Sequence, residues 1–220
     1  MWERHATLVV ATPFLWGDGD ADGRVCATSC RATQLKISDA NGVVAVPGLR
    51  SAKVDDANDL EVLLTQAARA RATAATRCNE HSSRSHYVFR MTLKGVNERT
   101  NERTEGELNL IDLAGSERTK ESGVEGQAMK EANAINKSLS SLGDVISAMG
   151  DAKAKHVPYR NSKLTHLLQN ALSGSAKTLM FVNVHPGAKH HSESLSSLRF
   201  ASKVGGVEIG PAAQKKERAN

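Results

Sequence analysis

The stretch Glu107–Leu113 constrains this chain more than any other part of it. Leu108, Leu110, Ile111 and Leu113 make it a near-continuous apolar run of strand length. A strand of that composition is expected to be buried on both faces, with a packed layer above and below. The strand expected at Ser85–Gly95 alternates instead, with Tyr87, Phe89, Met91 and Leu93 set against Arg90, Thr92 and Lys94. Between them lies a tandem polar repeat, Asn97-Glu98-Arg99-Thr100 and Asn101-Glu102-Arg103-Thr104. It reads as a solvated hairpin tip or loop without chemistry.

Helical spacing appears elsewhere. Leu60, Leu63, Leu64 and Ala67 predict a helix over 58–70, capped by Asp55 or Asp56. Ile135, Leu139, Leu142, Ile146 and Met149 predict one over 132–149, and Leu164, Leu167, Leu168 and Leu172 one over 162–172. Leu195, Leu198 and Phe200 predict a last helix over 192–203. Gln34–Ser38 and Val43–Val46 flank Asp39-Ala40-Asn41-Gly42, a strong hairpin signal. Leu179–Val184 reads as another buried strand. Strands alternating with helices indicate an α/β layered domain.

The 220 residues suffice for one domain, with 40% apolar and 24% charged residues, so the composition is globular. No apolar run approaches the roughly 18 residues of a membrane helix. Ala6–Trp16 is broken by Pro13, and Glu3 spoils the basic region a signal peptide needs. Three cysteines imply no closed disulfide framework. The net charge of +5 suggests an acidic partner without naming one.

Two segments carry the candidate chemistry. Asn79-Glu80-His81-Ser82-Ser83-Arg84-Ser85-His86 packs hydroxyls and a guanidinium into the approach to a strand. Such groups can hold a magnesium ion, a water or a phosphate, and a polar loop with local hydrogen bonds is the plainer alternative. Asp112-Leu113-Ala114-Gly115-Ser116-Glu117 ends an apolar strand with an Asp, then a Gly and a Glu. In phosphoryl-transfer folds such an Asp holds the magnesium shell and the Gly offers its N–H to the terminal phosphate.

Together these segments resemble switch I and switch II of the kinesin motor domain. The likeness continues in Asn136-Lys137-Ser138-Leu139-Ser140-Ser141-Leu142-Gly143, in His156-Val157-Pro158-Tyr159-Arg160-Asn161-Ser162-Lys163-Leu164-Thr165 and in Ser197-Leu198-Arg199-Phe200-Ala201. Lys177–Val184 and the Val207-Glu208-Ile209-Gly210 ending look like the C-terminal-motor subfamily, whose members are similar in moving toward the microtubule minus end. The resemblance implies a P-loop NTPase α/β fold and a partial motor domain over 34–210. Residues 1–33 are a divergent, unassigned segment, and 211–220 a basic tail.

What the resemblance implies about function runs residue by residue. Ser83 would face magnesium and Ser82 the attacking water. Asp112 would hold magnesium through water, and Gly115 would sense the γ-phosphate. Arg84 and Glu117 would pair to close the switches, and Asn79 would order the nucleotide-side loop. The implied cofactors are ATP and Mg2+. The implied partner is the microtubule, with no nucleic acid or membrane, and the parent protein would dimerise through an N-terminal stalk. The implied setting is the cytoplasmic microtubule cytoskeleton, the spindle included.

The implied track-binding surface maps to 136–166, where Lys153, Lys155, Arg160 and Lys163 cluster with Tyr159, and where His156 and His166 add charge only at low pH. Without the resemblance the cluster reads more readily as a solvated basic face.

One family element is missing. The P-loop pattern G-x-x-x-x-G-K-[ST] occurs nowhere in the sequence. Ser173-Gly174-Ser175-Ala176-Lys177-Thr178 imitates it but has Ala176 where a Gly must precede the Lys, and it leads into a strand instead of following one. Without the cradle the chain reads alternatively as a microtubule-binding module that does not hydrolyse ATP, or as a truncated gene product lacking ATP binding. The stretch Asp18–Ser29 copies half a calcium loop but ends in Ser29 where Glu belongs. Cys26 and Cys30 lack zinc-spaced partners, and His185, His190 and His191 read as loop histidines.

Overall fold

The computed structural model describes residues 2–9, 25–26, 34–35, 37–40, 43–47, 49, 51–77, 85–116, 127–173, 176–207 and 216–218. In chain order the elements are β1 (Trp2–Val9), β2 (Val25–Cys26), β3 (Gln34–Leu35), β4 (Ser38–Ala40), β5 (Val43–Ala45), β6 (Ser51–Val54) and α1 (Ala57–Arg77). They continue as β7 (Tyr87–Asn97), β8 (Glu102–Asp112), α2 (Gln127–Gly150), α3 (Lys163–Leu167), α4 (Gln169–Leu172), α5 (His191–Gly205) and β9 (Lys216–Arg218). The chain divides into two compact units. One comprises Met1–Ser38, Val46–Gly115 and Gln214–Asn220, the other Asp39–Ala45 and Ser116–Ala213.

The first unit is built on an antiparallel five-stranded sheet in the order β6-β1-β7-β8-β9. The long β7–β8 hairpin pairs without slippage from Asn97↔Glu102 to Tyr87↔Asp112. Pairing consumes more of the polar repeat than expected, so β8 begins at Glu102, not Glu107, and the tip is Glu98 to Asn101. Asn101 takes the left-handed conformation (φ 53°) that a tight turn demands and Asn tolerates. Arg90, Lys94, Glu105, Glu107 and Asn109 share one face. There Asn109 accepts from Arg90 Nε at 3.2 Å and donates to Glu107 at 2.8 Å.

Helix α1 covers the other face. The Asp56 carboxylate accepts from the amides of Asn58 (2.8 Å) and Asp59 (2.9 Å), which settles the capping residue. Leu60, Leu63 and Leu64 then pack with Val54, Phe89, Tyr87 and Met91. A fully buried side chain the size of Phe89 contributes about 1.5–3 kcal/mol. The helix continues to Arg77, past the expected end at residue 70, through an alanine-rich stretch of high helix propensity.

One expectation fails in this unit, and two segments left without a structural role supply strands. Burial of β8 on both faces does not occur: Leu108 and Leu110 lie opposite Met91 and Phe89, yet are 42% and 48% exposed, and Ile111 is also exposed. The core cluster of α1 stands on β6 and β7 and includes no β8 residue. The unassigned N-terminal stretch supplies β1, which lies between β6 and β7. The basic tail contributes β9, paired with Glu102–Thr104.

The second unit packs α2, α3, α4 and α5 with the β4–β5 hairpin. Helix α2 starts at Gln127, earlier than expected, and buries Ile135, Ser138, Leu142, Val145 and Ile146 at helical spacing. The Ser138 and Ser141 hydroxyls satisfy themselves on the carbonyls of Ile135 and Lys137. At Gly143 an added Cβ would sit 3.4 Å from the Phe200 ring, so α2 and α5 cross closely there. The single helix expected over 162–172 is two, broken at Leu168 (φ −85°, ψ 0°), though the apolar face of Leu164, Leu167, Leu168 and Leu172 stays buried. The buried strand expected at 179–184 is not formed: the segment has no regular secondary structure and belongs to no sheet among the described residues, with Leu179 77% and Phe181 82% exposed.

Candidate functional site

In the first unit, Asp112 is the last residue of β8 and is exposed, and Gly115 lies in the half-buried segment that follows. Ser85 and His86, the end of the first motif, are buried immediately before β7. The His86 Nδ1 accepts a hydrogen bond from the Ala114 amide at 3.1 Å. The end of the first motif is thereby fastened to the middle of the second, one residue before Gly115. An acceptor at Nδ1 assigns the proton of a neutral imidazole to Nε2. Sequence reasoning gave His86 no role, although its place in the motif was visible. Asn79, Ser82, Ser83, Arg84 and Glu117 lie outside the described residues.

In the second unit, the sequence-selected residues flank a 3-10 turn at Tyr159–Asn161. After α2 the chain turns at Asp151, whose carboxylate accepts from the Lys153 amide at 2.9 Å. Lys153, Lys155, His156 and Arg160 are exposed. Helix α3 is fixed by a reciprocal cap: Ser162 Oγ accepts from the Thr165 amide at 3.1 Å, and Thr165 Oγ1 from the Ser162 amide at 3.2 Å. The fully buried Thr165 hydroxyl also donates to the Tyr159 carbonyl at 2.6 Å. Tyr159 is half-buried, and burial raises its phenol above the ordinary value. Lys163 differs from the other selected cations, because its Nζ is shut away from solvent.

Sequence reasoning missed one participant here. Asp39, read only as part of a turn, accepts from Arg160 Nη2 at 2.7 Å. The guanidinium holds the Asp39 carboxyl below its ordinary range, against a smaller opposing effect of burial. No spacing rule connects residues this far apart in the chain.

In the imitation of a phosphate loop, Lys177 and Thr178 are exposed, and the Thr178 hydroxyl donates to the Ala171 carbonyl at 2.9 Å. The His185 and His190 rings lie with centroids 4.1 Å apart, tilted by 54°, and His185 Nδ1 accepts from the Gly187 amide. Among the described residues no group of three or more His, Cys, Asp or Glu could hold a metal. The half calcium loop lies outside the described residues except at Val25 and Cys26.

The chain matches the family described as Kinesin motor domain over residues 26–207. It is 54% identical to Kinesin-like protein KIN-14C of Arabidopsis thaliana, over 78% of this chain and 22% of that protein. It superposes on the motor domain of the Saccharomyces cerevisiae kinesin-like protein KAR3 with a TM-score of 0.75 and 40% identity, covering 93% of this chain and 61% of that one. Against a KIF14 dimer bound with AMP-PNP to a microtubule the TM-score is 0.78 at 32% identity, covering 96% and 60%. The chain spans less than a quarter of the length of the curated relatives it matches.

Proposed function

Because this chain belongs to the kinesin motor-domain family, beside the C-terminal-motor kinesins, we propose that it works as the track-binding and switch-bearing portion of a microtubule-based motor. The observation that carries the reading is the arrangement around Tyr159–Asn161. Four basic or titratable side chains, Lys153, Lys155, His156 and Arg160, are exposed, and the Thr165 hydroxyl of the α3 cap holds the Tyr159 carbonyl next to Arg160. A microtubule is acidic, and a display of exposed cations is complementary to it. Lys163, with its ammonium turned inward, serves the fold of this segment more than direct contact. The KIF14 relative was solved on a microtubule, which supports the same partner.

The family is an ATPase, and this chain fits magnesium-ATP only in part. Asp112, exposed at the end of a strand, suits a water-mediated magnesium contact, and Gly115 suits a phosphate oxygen. The glycine and lysine cradle for the β- and γ-phosphates is absent from the sequence, and the segment imitating it bonds to Ala171 instead. The residues present therefore do not make a complete nucleotide site, and no hydrolytic step is assigned to them.

Cosedimentation with stabilised microtubules tests the docking reading. Replacing Lys153, Lys155 and Arg160 together by Ala should weaken binding about tenfold, as expected of three exposed charges at under about 1 kcal/mol each. Unchanged binding by that variant would refute it.

A further inference from the structure

The Asp39–Arg160 pair is asymmetric. The Arg160 side chain is 75% exposed, while the Asp39 side chain is only 17% exposed and sits on β4, one arm of the hairpin. An ion pair between two flexible surface groups orders little, because both must be held. Here one partner is already fixed by strand pairing. The same Oδ2 that receives Arg160 lies 3.7 Å from His166 Nε2, too far for a hydrogen bond. That nitrogen is closed off from solvent and makes no hydrogen bond. The carboxylate is thus flanked by a mostly buried imidazole, 17% exposed, and by a guanidinium whose side chain is 75% exposed.

Arginine carries five N–H donors on a planar fork at the end of a flexible stem. The bond through Nη2 occupies one edge of that fork and leaves the rest exposed. We propose that Asp39 is a positioning residue for microtubule docking: it tethers Arg160 so that the remaining donors are presented, already ordered, to an acidic partner. This rests on the docking reading above. The competing role for the same contact is neutralisation, in which Asp39 would occupy Arg160 in place of the partner's carboxylates.

The two roles have opposite signs. Tethering predicts that Asp39→Ala weakens microtubule binding about threefold, roughly the loss given by Arg160→Ala, within the range for one exposed charged contact. Neutralisation predicts tighter binding. The test is cosedimentation of the 220-residue chain at one ionic strength, with Asp39→Ala, Asp39→Asn, Arg160→Ala and the Asp39→Ala/Arg160→Ala double variant. Asp39→Asn keeps an acceptor oxygen and should recover part of the loss. The double variant should bind no worse than Arg160→Ala alone, because Asp39 acts only through Arg160. Side-chain 15N relaxation should show the Arg160 guanidinium ordered in the unaltered chain and averaged in Asp39→Ala.

Tighter binding by Asp39→Ala, losses that multiply in the double variant, or a guanidinium equally mobile with and without Asp39 would overturn the proposal. Failure of the unaltered chain to bind would overturn the docking reading itself, and the positioning role with it. Binding that is indifferent to Asp39 but lost with the basic cluster would overturn the positioning role alone.

Discussion

At the scale of single residues, two buried or half-buried polar side chains hold the candidate segments in place, and neither stands out by composition. His86 takes the Ala114 amide in a buried setting. His86→Ala should leave that donor unpaired and cost about 1–3 kcal/mol. Urea denaturation would show it as a lowered midpoint, and an unchanged midpoint would mean the bond carries no stability. Asp39 makes a prediction in pH. Its folded-state pKa lies below the ordinary 3.8, so its stabilising contribution is complete above that value and is lost as pH falls through the depressed one. An NMR titration of the Asp39 carboxyl should therefore give a midpoint below 3.8, and Arg160→Ala should move it up. No upward movement would mean the guanidinium is not the cause. The motif placed His86 in the sequence without a role, while the Asp39–Arg160 contact was illegible because tertiary folding alone brings the hairpin to the 3-10 turn.

At the scale of elements, periodicity located the helices well and the extended segments less well. The faces of α1 and α2 follow from leucine and isoleucine spacing, and Asp56 caps α1 as a short acidic side chain should. Apolar runs were a poorer guide to burial. Leu108, Leu110, Leu179 and Phe181 have the composition of a buried sheet, but burial also needs a layer to cover them, and composition cannot report whether one is there. The same exposure gives a prediction. Leu179→Ser with Phe181→Ser should change stability by no more than about 0.5 kcal/mol per site, whereas Leu164→Ala, at a 3% exposed position, should cost about 2–5 kcal/mol. The double serine variant should also stay monodisperse at higher concentration in light scattering, since exposed apolar side chains invite association. A large stability loss in that variant would show that the segment is covered in solution.

At the scale of the whole molecule, a net charge of +5, an exposed basic segment and an incomplete phosphate cradle predict a separation of two properties that motors normally couple. Isothermal titration with magnesium-ATP should give a dissociation constant weaker than about 1 mM, equivalent to less than about 4 kcal/mol. Micromolar binding would imply a substitute cradle elsewhere in the chain. The family and its layered α/β fold were legible in five ordered motifs, because each joins particular residue types at a fixed spacing. The roles of residues 2–9 and 216–218 as strands were not legible, because pairing across a sheet leaves no motif. The most direct measurement is microtubule cosedimentation of this chain across a salt series, with and without magnesium-ATP. Binding should weaken steadily as salt screens the basic segment and should be left unchanged by magnesium-ATP. Binding indifferent to salt, or released by magnesium-ATP, would contradict this reading.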